Sequence, residues 1–434
     1  AGGAAWARAR GVRAAWQLAD NVAAAPGETS RKCIERELRF NAHNYNPVPV
    51  VLKSGRGVHV WDVEGRQYLD CLAGYGAVNQ GHLHPRIVGA MKAQLDELSL
   101  SSRAFYTNKL GDYSEYMTRL FGYDKLLPTN TGVEGGETAL KLARRWAYDV
   151  KGVQLNKARV LFARNNFWGR TITAVSSSSD PSAFGRFGPY TPGLDLIPYN
   201  DLATLERALH ADPNICAFFI EPIQGEGGVN VPDEGYLRGV RDLCTRYNVL
   251  WIDDEVQAGL GRTGHLAAWE HEGARPDILI LAKSLSGGLY PVSCVMANDD
   301  VMLNIYPGEH GSTFGGCALA CTVAQEAVKV LVEEEMPQNA ARMGELFRQG
   351  LNEVKERHQG QIQEVRGRGL MNALELRPDA RVSGWDLVLA LRDAGLLCKT
   401  AGPPNVLRFT PPLVINEAQV RECVDIVGKV FDRI

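Results

Sequence analysis

The chain has 434 residues, 45% hydrophobic and 22% charged, enough for a large core divided over two or three domains. A formal net charge of -3 argues against a nucleic acid or an acidic membrane surface as partner, and no apolar run approaches the roughly 18 residues of a membrane span. Nine scattered cysteines without a CxxC pair argue against a zinc site or disulfide scaffold and point to buried, reduced thiols inside a cell.

Residues 1–30 are rich in Ala and Arg, and their first acidic residue is Asp20. That composition resembles an organelle transit segment or its remnant; the alternative is a short arm lying on a partner subunit. Residues 49–70 read as a hairpin-rich piece, so residues 1–75 are expected to form an N-terminal arm and hairpin segment. Segments 87–98 and 134–150 carry apolar residues at helical spacing. Short β-rich runs follow at 158–163, 217–223, 249–253 and 277–282, with helical patterns such as 236–244 between them. Strands alternating with helices predict an α/β layer with a mostly parallel sheet covered on both faces. This large domain is expected to span residues 76–322. From residue 323 the pattern changes to helical runs at 337–358, 384–397 and 417–434 around the strand candidates EVRGRGLMNALEL and VLRFTPPLV, a smaller α+β domain over 323–434.

In open α/β sheets, ligands bind outside the carboxyl ends of the strands. The run VLWID leads into Asp254, and DILILA leads into Lys283, one strand–crossover–strand unit later. The two could form a plain salt bridge. A third feature favours chemistry: TNTGVEGGE at 129–137 is a small-residue turn opening an amphipathic helix, whose free N–H groups and dipole suit a phosphate. No GxxxxGK[ST] run is present, which disfavours a nucleotide P-loop. A strand-end lysine, a strand-end carboxylate and an anion cradle together suit pyridoxal 5'-phosphate. That cofactor needs a lysine for its Schiff base, an acid beside its ring nitrogen and a phosphate site. His82 and His84 in GHLHP lack Cys or His partners at ligand spacing, so they are expected to be structural, and no metal is expected.

Ten runs in order, among them HNYNPVPVVL (43–52), YGAVNQGHLHP (75–85), NTGVEGGETALKLARRW (130–146), EPIQGEGGV (221–229), DEVQAGLGRTG (254–264), AKSLSGGLYPVS (282–293) and LRFTPPLVI (407–415), resemble the fold-type I, class III aminotransferases. The resemblance extends from about residue 35 to the end. It implies that Lys283 is the Schiff-base lysine, Asp254 the partner of the pyridine nitrogen and Gln257 the partner of the ring hydroxyl. Gly132 and Val133 would give backbone N–H groups to the phosphate, and Phe167 would stack on the ring. Ser312 and Thr313 would reach the phosphate from the other subunit, making the active unit a homodimer with sites at the interface.

Within the family, the pattern is most similar to members that act on the δ-amino group of L-ornithine, with 2-oxoglutarate as the acceptor. The resemblance then implies that Tyr45 and Arg170 hold the distant carboxylate and that Tyr75 shapes the pocket. Arg408 would take a second carboxylate of the keto acid, and Glu226 would cover Arg408 while ornithine is bound. N-acetylornithine, 4-aminobutyrate and other ω-amines are the alternative donors. Two departures from the family pattern stand out: GGCALA at 315–320 puts Cys317 and Ala318 where Asn and Pro are common, and LAGYGAVNQ has glycines where serines are frequent. The mitochondrial matrix and the cytoplasm both remain open as locations.

Overall fold

A computed structural model describes residues 20–434. After the helix Glu28–Phe40, three strands form the predicted hairpin piece: β1 (Leu52–Arg56), β2 (His59–Asp62) and β3 (Gln67–Asp70). Asp62 sets the second turn, its Oδ1 accepting from Glu64 N at 2.9 Å and Arg66 N at 2.8 Å, as short polar side chains do when they stand in for backbone acceptors.

The central sheet holds seven strands: β4 (Lys125–Thr129), β5 (Arg159–Ala163), β6 (Leu194–Ile197), β7 (Ile215–Ile220), β8 (Leu250–Asp254), β9 (Ile278–Leu281) and β10 (Ser293–Ala297). Their order is β4-β10-β9-β8-β7-β5-β6. Only β10 runs against its neighbours; the remaining pairs are parallel. Every residue of β7, β8, β9 and β10 is buried, which is why their sequences are almost continuously apolar rather than alternating. The alternation survives in which layer each residue meets. Val160, Phe162 and Phe219 pack with Ala139, Leu142 and Ala143 of the helix Gly132–Trp146. Leu161, Phe218 and Trp251 face Leu237 and Val240 of the helix Tyr236–Arg246 on the other side.

The C-terminal part carries the long helices Ala318–Glu333, Met336–Arg357 and Glu417–Phe431, with a shorter one at Gly384–Asp393. It contains β11 (Ile362–Arg368), β12 (Met371–Leu376), β13 (Leu396–Leu397), β14 (Lys399–Thr400) and β15 (Val406–Phe409), four of which form an antiparallel sheet in the order β11-β12-β15-β14. The fifth, β13, leaves to pair in parallel with β3. Residues 384–397 were expected to be wholly helical. Instead Gly395, at φ +95, turns the chain out of the helix, and Leu69 N bonds its carbonyl at 2.9 Å. The expected strand VLRFTPPLV stops at Phe409, because Pro411 and Pro412 have no N–H to give a ladder.

One close approach locks the helix Met336–Arg357 to the β11–β12 turn. A Cβ added at Gly344 would lie 1.8 Å from the carbonyl oxygen of Gly369. Only glycine allows that contact.

Candidate active site

Strands β8 and β9 are parallel neighbours, so their carboxyl ends open side by side, with Asp254 in register with Ile280. Asp254 closes β8, and Lys283 follows β9 at the start of a short 3-10 turn. Lys283 adopts φ +49, a left-handed conformation uncommon for a residue with a Cβ. Strain of this kind persists where the surroundings over-determine it, as at functional sites. The side chain is partly accessible, and burial pushes its ammonium down to about 8. Glu226, Asp254 and Glu221 oppose that shift, and Arg408 reinforces it.

Asp254 is 4% exposed, and burial lifts it to about 6, against a hydrogen bond from Val256 N at 3.0 Å to Oδ1 and the nearby Lys283. Beside it lies a carboxylate that stands in the sequence only as part of the run EPIQGEGGV. Glu221, at the end of β7, accepts from Phe167 N at 2.9 Å and Gly225 N at 3.2 Å. Burial, with Asp254 adding to it, pushes this carboxyl up to about 8. Glu221 thereby ties the Phe167 turn to the loop that carries Glu226. Its place directly after the apolar run ICAFFI was the available signal, the same one that singled out Lys283.

Arg408, on β15, is 1% exposed. Its Nη1 donates to Glu226 Oε1 at 2.8 Å and to Gln257 Oε1 at 3.1 Å, and the ring of Tyr75 lies 5.2 Å from its Cζ. Tyr75 is held by a left-handed turn: Ala73, Gly74 and Tyr75 all have φ between 49 and 60. Asp70 Oδ1 accepts from Leu72 N and Ala73 N and so fixes the start of that turn. Four expected residues, Tyr75, Glu226, Gln257 and Arg408, are therefore in one connected group.

The run TNTGVEGGE opens a helix, as its small-residue turn predicts. Thr131 caps the helix Gly132–Trp146 in a reciprocal box with Glu134. The N–H groups of Gly132 and Val133 have no acceptor among the described residues. A Cβ on Gly132 would press on Val256 at 3.0 Å, so glycine keeps the helix start close to the strand ends. Ser312 accepts from Asn130 Nδ2 at 2.7 Å and so sits beside the helix start of its own chain, whereas Thr313 is exposed.

Arg170 and Tyr45 stand apart from the buried group. Arg170 is exposed, with its guanidinium 5.3 Å from the centre of the Phe167 ring. Tyr45 is 67% exposed and lines a cleft with Asn21, Ile34 and Leu38. The link between Tyr45 and the site is indirect: Lys399 donates to Asn46 O at 3.0 Å and lies 5.9 Å from the Tyr75 ring.

The unmet polar atoms match pyridoxal phosphate. Among the described residues, Gln257 Nε2 is buried without a partner, as are Nε and Nη2 of Arg408, and buried donors of this kind need an acceptor. Gln257 Nε2 suits a ring hydroxyl, the Gly132 and Val133 amides suit a phosphate, and the Lys283 amine suits an aldehyde. Elsewhere, His82 Nε2 bonds Asp70 Oδ2 at 2.7 Å, and His84 Nε2 bonds Glu334 Oε2 at 3.3 Å. Cys317, which stands where Asn is common in the family, caps the helix Ala318–Glu333, its Sγ accepting from Ala320 N at 3.5 Å. Eight of the nine cysteines are buried, and Cys33 is partly so.

A mostly parallel, doubly covered sheet with a lysine and a carboxylate at adjoining strand ends defines an enzyme of the fold-type I cofactor-dependent class. Residues 40–431 match the family described as Aminotransferase class-III. The chain is 55% identical over 425 residues to the mitochondrial ornithine aminotransferase of Rattus norvegicus, covering 97% of this chain and 95% of that one. Among solved structures, the ornithine aminotransferase of Toxoplasma gondii superposes with a TM-score of 0.91 at 46% identity, covering 94% of this chain and 96% of that one. The acetylornithine aminotransferase of Elizabethkingia anophelis gives a TM-score of 0.85 at 48% identity, with 93% and 99% covered. The chain belongs to the class III aminotransferase family, whose members use pyridoxal phosphate.

Proposed function

We propose that this chain is a pyridoxal-phosphate-dependent ornithine aminotransferase. It passes the δ-amino group of L-ornithine to 2-oxoglutarate, giving glutamate and glutamate 5-semialdehyde, which closes to pyrroline-5-carboxylate. The observation that carries this reading is the Glu226–Arg408 ion pair, one partner 1% exposed and the other 26%. Arg170 meanwhile keeps its guanidinium open. One arginine is masked and one is free. A donor with a single carboxylate far from its reacting amine needs only the free one.

When bound, the cofactor supplies an aldehyde that captures amines and a protonated ring that takes up electrons from a breaking C–H bond. Asp254 keeps the proton on the ring nitrogen. Gln257 Nε2 would donate to the ring hydroxyl, Phe167 would stack on the ring, and the Gly132 and Val133 amides would hold the phosphate, with Ser312 and Thr313 of a second subunit in a homodimer. The Lys283 amine, brought down to about 8 by burial, would hold the cofactor's aldehyde and, when free, would serve as the proton carrier. Arg170 and Tyr45 hold ornithine's α-carboxylate, and Tyr75 walls the chain between them. Glu226 keeps Arg408 from capturing that carboxylate, which would bring the wrong amine to the reacting centre. For 2-oxoglutarate, Glu226 withdraws, and Arg408 and Arg170 each bind one carboxylate.

The rat relative is named as mitochondrial, and we assign the same location here. No helix of the described residues is long and apolar enough to cross a membrane; residues 1–19, most of the transit-like segment, lie outside the described residues. Comparing turnover of L-ornithine, N-acetylornithine and 4-aminobutyrate with 2-oxoglutarate tests the donor. Preference for ornithine supports the proposal, and preference for either other amine refutes it.

A further inference from the structure

We propose that His310 is a positioning residue that, as a neutral imidazole between Lys141 and Thr138, docks the 306–313 loop on the helix of its own subunit and so holds Ser312 and Thr313 in place for the phosphate bound by the partner subunit. The proposal rests on the reading above, in which those two residues are phosphate contacts.

The loop lies along one stripe of the helix Gly132–Trp146, made by Glu134, Thr138, Lys141 and Arg145 at helical spacing. Arg145 Nη1 pairs with Glu309 Oε1 at 3.0 Å. Lys141 Nζ donates to Glu309 O at 2.9 Å and contacts His310 Nδ1 at 3.0 Å. His310 Nε2 meets Thr138 Oγ1 at 2.9 Å, and that hydroxyl donates to Glu134 O at 2.7 Å. An ammonium only donates, so Nδ1 must accept; the Thr138 proton is already committed, so Nε2 must carry the hydrogen. One protonation state satisfies the chain: the neutral ring protonated on Nε2. Two residues on, Ser312 Oγ accepts from Asn130 Nδ2 at 2.7 Å and Gly315 N at 3.1 Å, next to the helix start.

A second proton on Nδ1 would point at the Lys141 ammonium, and the two donors would part. The charged groups facing the ring are Lys141 and Glu134, with Glu137 lining the same cleft and the Glu309–Arg145 pair beyond them. Burial and Lys141 hold the imidazole below its ordinary value, with Glu134 opposing them. The loop therefore stays docked at neutral pH and loosens on acidification.

The test measures equilibrium dissociation of pyridoxal phosphate and of pyridoxal, which lacks the phosphate, across pH 5 to 8 (about the range in which histidines titrate). It uses the wild type, His310→Ala, His310→Gln and a Ser312→Ala/Thr313→Ala double variant. His310→Ala is expected to weaken pyridoxal phosphate roughly tenfold, the scale of one hydrogen bond to a charged group, and to leave pyridoxal unchanged. His310→Gln keeps a donor and an acceptor, so it should retain the affinity and weaken less than the wild type at low pH, with pyridoxal as the reference for pH effects at Lys283. Wild-type affinity in His310→Ala, equal losses for both ligands, or failure of Gln to rescue would overturn the role of His310. If the double variant binds pyridoxal phosphate as tightly as the wild type, the phosphate reading of Ser312 and Thr313 itself falls, and the proposal with it.

Discussion

Arg408 and Glu226 come from different parts of the fold, β15 and the loop after β7, yet meet at 2.8 Å beside Lys283. The arginine is buried, and two of its nitrogens have no partner among the described residues, so it would offer a carboxylate site if Glu226 moved away. In the proposed function, this buried charge with a removable partner would let the site take substrates of different charge in turn. Glu226→Ala should leave Arg408 permanently open. Steady-state kinetics should then show kcat/KM for ornithine falling roughly ten- to a hundredfold, the scale of one charged hydrogen bond, with glutamate gaining as donor. Unchanged discrimination between ornithine and glutamate would remove Glu226 from the mechanism.

In the proposed mechanism Asp254 contributes charge rather than shape. Asp254→Asn keeps the volume and loses the carboxylate that holds the ring proton, so kcat should fall roughly a hundred- to a thousandfold, as for loss of one aligned electrostatic contact. Stopped-flow measurement of the ornithine half-reaction isolates this step. A loss of less than about fivefold would point to another group as the partner of the ring nitrogen.

Loading of the cofactor-free protein should carry the signature of Lys283. Its pKa is pushed from the ordinary 10.5 down to about 8, burial being the main cause. The neutral amine is the nucleophile. Below the folded pKa it is mostly protonated, so the rate of attachment should rise with pH toward 8 and level off above it, instead of climbing until 10.5. Absorbance at the near-visible band follows the reaction, and Lys283→Ala should abolish the band.

Packing gives a prediction independent of chemistry. Gly344→Ala would force a methyl to within 1.8 Å of the Gly369 carbonyl. Relieving that clash needs a shift of helix or turn, at a cost of about 3 kcal/mol, the upper part of the range for overpacked cores. Urea unfolding of the variant should show the loss.

The sequence made the central sheet and the chemical pair legible for one physical reason: strands buried on both faces read as unbroken apolar runs, and a charge directly after such a run needs explaining. Asp254 and Lys283 were visible that way, and Glu221 could have been, since it follows ICAFFI. The strands β4, β6 and β10 were not foreseen, because KLLPT and LDLI are short, and KLLPT also contains a charge and a proline. Pairing of β13 with β3 joins residues more than 300 apart, and no local pattern encodes it. The contacts of His310 are equally invisible in the sequence, since its partners lie on a distant helix and the tautomer follows only from their geometry. Arg170 and Tyr45 were identified by resemblance alone; their exposure shows that local apolar pattern could not have marked them.

The most direct test of the central claim is the fate of labelled nitrogen. The protein would be incubated with 2-oxoglutarate and L-ornithine carrying 15N at either the δ or the α position, and the glutamate formed would be analysed by mass spectrometry. Label passing to glutamate from the δ position and not from the α position is the expected result. Label arriving chiefly from the α position, or no transfer from ornithine at all, would contradict the account.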